Sequence, residues 1–277
     1  MRAGDGVAQK VDAGIELNYV EWGEDGKPVV VLLHGLTGHA RNFEALAQEL
    51  SNEFHCFAPD LRGHGDSAWS TVGDYRLSTL ARDLDTFLQS RGLRRVALVG
   101  TAARADVALA FAGARPDWIS HLVLNDSAPE LSDAGLERIR RHLAESPEEF
   151  ESLDAAVDWW RATFPILADY SEASIRRFVG HSVRAAADGT MRWKFDPRFR
   201  ELSPQSIRDV DLIVSAGRVT CPTLVLRGAK SDVVSEFLAK QLVEGLTRSG
   251  GGDGAQLVPI DGVGHGRRWR SPKHWTR

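Results

Sequence analysis

Residues 96–112 read VALVGTAARADVALAFA. Val96 to Val99 is a short continuous apolar run, the pattern of a strand buried on both faces of a parallel sheet. Gly100-Thr101-Ala102-Ala103-Arg104 follows as a turn. Asp106 to Ala114 then reads as an alanine-rich helix that Pro116 ends. The same strand-then-helix alternation extends in both directions. Towards the N-terminus, Ile15 to Trp22 alternates like an exposed strand, Val29 to Leu33 is a buried run and Phe54 to Ala58 is a further strand. Phe43 to Leu50 and Leu77 to Leu88 have helical spacing. Towards the C-terminus, Ile119 to Leu124 is another strand, closed by Asn125 and Asp126. Such βα alternation predicts an α/β fold, a mostly parallel central sheet with helices on both faces.

The pattern changes after Asp126. Residues 127–216 show helical spacing, at Leu136 to Leu143, Ala155 to Phe164 and Ala173 to Ala187, and almost no strand signal. Strand character returns at Thr223 to Leu226 and at Gln256 to Ile260, with a helix at Glu236 to Leu246 between them. The expected organisation is one core built from residues 1–126 and 217–277, interrupted by a helical cap insertion at 127–216. Gly250 to Gly252 with Gly254 reads as a surface loop.

Bulk properties narrow the partners. A chain of 277 residues with 43% hydrophobic side chains is long enough to bury a full core. The net charge of -4, with no basic stripe, argues against nucleic acid. The apolar runs are far shorter than the ~18 residues a membrane span needs. Residues 1–13 are polar and lack the pattern of a secretory signal. Cys56 and Cys221 each sit in or beside a strand and read as small buried thiols in a reducing cytoplasm. No phosphate loop, dinucleotide fingerprint or metal-ligand spacing is present, so the expected chemistry has no cofactor and no metal. The expected partner is a small-molecule substrate or ligand; the oligomeric state is not legible.

In open parallel sheets, functional groups gather where strands end. His34-Gly35-Leu36-Thr37-Gly38 follows one strand as a glycine-rich turn able to aim backbone N–H groups at a developing oxyanion. Asp60-Leu61-Arg62-Gly63-His64-Gly65-Asp66-Ser67 follows the next. Together the two motifs resemble the α/β-hydrolase fold family, in its cap-bearing branch, over about Ile15 to His265. His64 itself reads as a structural loop residue. The resemblance implies a Ser-His-Asp hydrolase of small or medium carboxylic esters, lactones or activated C–C bonds, with a serine on a strained G-x-S-x-G turn. Here that turn is Gly100-Thr101-Ala102-Ala103-Arg104. Ala102 stands at the nucleophile position and has no atom that can attack a carbonyl. Arg104 stands where glycine is expected, and a long cation there would crowd the turn or project into the pocket.

The resemblance also implies that His265, in Gly262-Val263-Gly264-His265, is the base and Asp232 the acid that orients it. Asp126 is the alternative acid, since some relatives place it there. Leu36 and Ala103 would supply the oxyanion-hole N–H groups. Trp159, Trp160, Phe164, Phe178 and the stretch Met191 to Pro197 would pack the cap. Three readings follow: a hydrolase impaired at its nucleophile, a non-catalytic ligand-binding homologue, and a nucleophile-free enzyme using a His-Asp dyad as general base. After His265 the basic run Gly266 to Arg277 replaces the family's closing helix. Back-translated with GC-rich codons and read in another frame, it gives an alanine- and leucine-rich tail, so a one-base deletion after His265 is the expected origin.

Overall fold

The computed structural model describes residues 5–164, 170–202, 204–247 and 254–265. Strands β1 (Val7–Asp12), β2 (Glu16–Trp22) and β3 (Val29–Leu33) lead into α1 (Glu44–Leu50) and β4 (His55–Pro59). Then come α2 (Leu77–Ser90), β5 (Val96–Thr101), α3 (Ala105–Ala114) and β6 (Ile119–Asn125). The intervening segment holds α4 (Asp133–Glu145), β7 (Glu149–Phe150), α5 (Leu153–Thr163), α6 (Glu172–Ser182), β8 (Val183–Ala185), β9 (Met191–Trp193), α7 (Pro204–Ile207) and α8 (Leu212–Ala216). The chain then adds β10 (Thr223–Gly228), α9 (Glu236–Thr247) and β11 (Ala255–Ile260).

Eight strands form one sheet in the order β1-β2-β4-β3-β5-β6-β10-β11. β1 and β2 pair antiparallel, as do β2 and β4, and every other neighbouring pair is parallel. The continuous apolar runs have a direct cause. Val31 and Leu33 belong to the cluster that includes Leu84, Val107 and Phe111 of α2 and α3, whereas Val30 and Leu32 belong to the cluster that includes Ala47 of α1. A strand covered on both faces has no polar side to show. The α/β architecture read from the sequence is therefore the architecture found.

Two local features differ from expectation. Residues 7–12 form β1, an edge strand with one neighbour and alternating exposed and half-buried positions, so its polar content fits a strand wetted on one side. The 127–216 segment is not wholly helical. β7, β9 and β8 make a small three-stranded sheet, and the helix expected to reach Ala187 stops at Ser182. Strands of two or three residues are too short to register as alternation. A separate apolar cluster of Phe150, Val157, Ile175, Val179, Trp193, Phe195 and Phe199 fills this segment.

Cys56 is buried and Cys221 half-buried; both are free, and burial pushes the Cys56 thiol up to about 12. Among the described residues no helix is long and apolar enough to cross a membrane. The expectations for the tail at 266–277 and for the glycines at 250–252 fall outside the described residues.

The loop after β4 is tied to the sheet by one carboxylate. Asp60 is 3% exposed. Its Oδ1 accepts the Ala40 N–H at 2.6 Å, and its Oδ2 accepts the Asn18 side-chain amide at 2.7 Å and the Asp66 N–H at 3.0 Å. Gly65 has φ +55, and a Cβ there would lie 2.1 Å from the Asp60 carboxyl carbon, so only glycine lets the loop close over the acid. Asp60→Ala would leave three donors, two of them buried, without an acceptor. Chemical denaturation should show a loss of about 3 kcal/mol or more, whereas Asp60→Asn, which keeps one oxygen, should lose less.

Candidate active site

β3 lies between β4 and β5, so the chain leaves the sheet centre in one direction after β3 and in the other after β5. Crevices open at such reversals, outside the strand ends. Leu33 pairs with Gly100, so the turns after β3 and β5 emerge side by side. They touch: a Cβ built on Gly35 would lie 3.7 Å from the Ala102 Cβ. The first turn is closed by a Gly38 N–H to Gly35 C=O bond of 3.0 Å, with Thr37 at φ +60.

β5 ends at Thr101, and Ala102 then takes φ +50 before a 3-10 turn, Ala102–Arg104, opens into α3. This is the sharp strand-to-helix elbow, carried by an alanine. A left-handed backbone costs an L-residue about 1–2 kcal/mol. Gly100 makes the turn sterically feasible, because any Cβ there would sit 2.5 Å from the Ala105 Cα. Among the described residues four non-glycine residues have positive φ: Thr37, Arg95, Ala102 and Asp126. Three of these sit just beyond β3, β5 and β6. Backbone strain concentrated at neighbouring strand ends is characteristic of a functional site.

Arg104 neither distorts the turn nor reaches into solvent. Its own backbone is right-handed helical, and the residue is 1% exposed. Nη2 lies 3.4 Å from His64 Nε2, the guanidinium carbon lies 5.6 Å from the Phe199 ring centroid, and the buried Nε has no hydrogen-bond partner. Asp106 is the acid that acts on it electrostatically. That carboxylate is already held by Arg208 at 2.7 and 2.9 Å and by the Ser127 hydroxyl at 2.7 Å. Burial pulls the Arg104 guanidinium down to about 10.

The two loop histidines are neutral framework. His34 Nδ1–H donates to the Gly35 carbonyl at 2.9 Å and its Nε2 accepts the Leu61 N–H at 3.1 Å, while burial holds its pKa down at about 3. His64 Nδ1–H donates to the Arg62 carbonyl at 3.0 Å, leaving Nε2 to accept from Arg104. Burial first, then the Arg104 charge, keeps His64 well below its ordinary value.

His265 follows β11 and is drawn back over the sheet end by the Lys230 N–H to Val263 C=O bond of 2.8 Å. Its Nδ1 lies 2.6 Å from Asp126 Oδ2, and both side chains are nearly buried, at 11% and 7% exposure. The structure thus sets Asp126, not Asp232, against His265. Ser231 N–H closes a turn onto the Gly228 carbonyl at 2.8 Å, which turns the Ser231 hydroxyl towards Asp126 at 2.9 Å. Gly228 N–H donates to Asp126 Oδ1 at 3.2 Å. Asp232, one residue further on, faces outward at 47% side-chain exposure and pairs with Arg138 of α4, which holds its carboxyl below the usual range. Ser231 was not singled out in the sequence. Its only signal was its place in the Arg227–Asp232 loop.

Leu36 and Ala103, the expected oxyanion donors, are both half-buried. Leu36 packs against the cluster of the inserted segment. Ala103 lies in the first turn of the elbow, where helical N–H groups lack intrahelical acceptors. Trp159, Trp160, Phe164 and Phe178 border the same cluster and contact one another edge to face or tilted.

Comparison with known proteins places this geometry. The profile of the alpha/beta hydrolase fold matches residues 28–266. A 3-hydroxybutyrate-oligomer hydrolase of Cupriavidus necator is 26% identical over 266 residues, 92% of this chain and 88% of the relative. Lipase LipV of Mycobacterium tuberculosis is 34% identical over 228 residues, 81% of this chain and 84% of the lipase. A crystal structure of an alpha/beta hydrolase from Novosphingobium aromaticivorans superimposes with a TM-score of 0.80 at 27% identity, covering 98% of this chain and 95% of the other.

The environment of Arg104 sets a stability expectation. A buried cation without its own carboxylate is destabilising relative to an apolar side chain of similar length. Arg104→Met should raise the denaturation free energy by about 1–3 kcal/mol. A fall in melting temperature would show that the His64 and Phe199 contacts outweigh the desolvation of the charge.

Proposed function

For a chain that belongs to the alpha/beta hydrolase family, we propose a hydrolase scaffold that retains its base, its orienting acid and its oxyanion turn but cannot form an acyl-enzyme. The observation that carries this reading is Ala102 at φ +50, in the elbow conformation with no hydroxyl. The ancestral reaction is hydrolysis of a small or medium carboxylic ester, lactone or activated C–C bond. The two relatives named as an oligomer hydrolase and a lipase support that class.

In that reaction a serine hydroxyl at position 102 would attack the carbonyl carbon, and His265 Nε2 would take its proton. Asp126, bonded to Nδ1, would fix the tautomer and stabilise the imidazolium. The N–H groups of Leu36 and Ala103 would face the oxyanion. Residues 127–216 would act as the cap above this point, and the aromatic cluster around Leu36 would form its apolar wall. The mild negative charge supports a small-molecule ligand over nucleic acid, and the two free thiols support a cytoplasmic setting.

A second reading has its own support. The His265–Asp126 pair is intact and nearly buried, and such a dyad can remove a substrate proton without any nucleophile. A ligand screen by thermal shift, run beside turnover assays on the same compounds, separates pure binding from general-base catalysis.

Two outcomes are expected. A fluorophosphonate probe should leave the native chain unlabelled, with p-nitrophenyl ester turnover near background, since loss of a nucleophilic serine costs on the order of 10⁶ in kcat. Ala102→Ser should gain labelling, because the elbow is already formed. A stoichiometric, His265-dependent burst from the native chain would contradict the proposal. In the Ala102→Ser background, Asp126→Asn should cut kcat by about 10³–10⁴-fold, while Asp232→Asn should change it only a few-fold. The reverse ranking would return the acid's role to Asp232.

A further inference from the structure

On the part of the sheet away from the His265–Asp126 pair, β2 runs antiparallel to β4, and the turn after β2 carries Asp25. His55 opens β4, and its side chain is only 6% exposed. Its two ring nitrogens face two different carboxylates. Nε2 lies 2.7 Å from Glu21 Oε1, and Nδ1 lies 3.5 Å from Asp25 Oδ1. The second Glu21 oxygen accepts the Gln9 side-chain amide at 2.8 Å, which fixes that carboxylate in place.

A neutral imidazole has one proton for these two contacts. The short Nε2 contact claims it, as an N–H donated to Glu21. Nδ1 is then a lone pair on a ring more than nine-tenths buried, and no donor among the described residues reaches it. It lies 3.5 Å from an oxygen of a fully exposed carboxylate, and a cation held between two such electron-rich atoms would be attracted to both. The separation has the size a metal requires. Zinc–nitrogen and zinc–oxygen bonds of about 2.0–2.2 Å at a tetrahedral angle hold the two ligand atoms about 3.4 Å apart. Donation of the other ring N–H to a carboxylate is the usual support behind a metal-bound histidine, because it sets the tautomer and raises the basicity of the free nitrogen. One ligand atom from each of Glu21, Asp25 and His55 lies within 4.8 Å of the other two.

We propose that His55 Nδ1 and Asp25 bind a divalent transition metal of the zinc class, with Glu21 orienting the imidazole and water completing the shell. Imidazole with carboxylate favours zinc, copper or nickel over magnesium or calcium. The metal would clamp the β2–β3 turn onto β4. It has no part in the chemistry at His265.

The test uses the full chain, freed of metal with EDTA and dialysed. Zn²⁺ should raise the melting temperature saturably with one equivalent bound, and Co²⁺ should give the visible absorption of a low-symmetry site. Asp25→Asn, at a fully exposed position, should fold normally and lose the shift. Glu21→Gln should weaken binding about 10–100-fold. The chain has nine histidines, so Asp25→Asn also separates this site from adventitious binding elsewhere. Equal Zn²⁺ affinity in the native chain and Asp25→Asn would overturn the proposal. So would no saturable binding.

Discussion

The pairing of β3 with β5 is the constraint on which the site depends. It brings two chain reversals to adjacent points, Leu33 beside Gly100, and each must then turn within a few residues without colliding with the other. Gly100 gives the second reversal room against Ala105, where any Cβ would collide, while the first passes Ala102 at ordinary contact distance from Gly35. The left-handed residues Thr37 and Ala102 complete the two turns. Such conformations are held by the rest of the fold, so helix α3, buried along nearly its whole length, acts as the brace that keeps Ala102 in place. A strand order without the reversal would put these turns on separate edges, and no crevice would form.

Around those turns the interior treats charge in two ways. Asp60 and Asp106 are buried and provided for, the first by three donors and the second by a guanidinium fork and a hydroxyl. Arg104 is buried as deeply, and besides the Phe199 ring and the field of an already paired Asp106 it has one long hydrogen-bond contact, to a neutral histidine. The low dielectric that strengthens the first two networks is what leaves the third group costly. Position 104 is one place where local sequence and fold agree poorly, since the buried Arg104 Nε has no hydrogen-bond partner.

Much of this was legible in the sequence, for identifiable reasons. The period of the apolar runs revealed the parallel core, because strands buried on both faces cannot alternate. The strand and alanine-rich helix on either side of Gly100 to Arg104 marked the turn, and so put Ala102 at the strand end. The partner of His265 was harder to read. Asp126 and Asp232 both follow strands, and the choice between them turns on the tight Gly228–Ser231 turn, which swings Ser231 inward and Asp232 outward to Arg138. No periodicity reports a rotation of that kind. β1 was missed because a wetted edge strand reads as polar chain, and β7, β8 and β9 because two or three residues show no period. Arg104 was expected at the pocket or against the turn; a burial direction is set by neighbours such as His64 and Phe199, which come from distant stretches of sequence.

The left-handed backbone at Ala102 has an evolutionary consequence. The conformation is held by packing that involves no side-chain hydroxyl, since alanine carries none. Alanine tolerates it better than a β-branched residue would. Alanine and serine codons differ by a single base, so a serine introduced at position 102 would meet an elbow already bent and a histidine already paired. The shape of the turn does not depend on the group it displays.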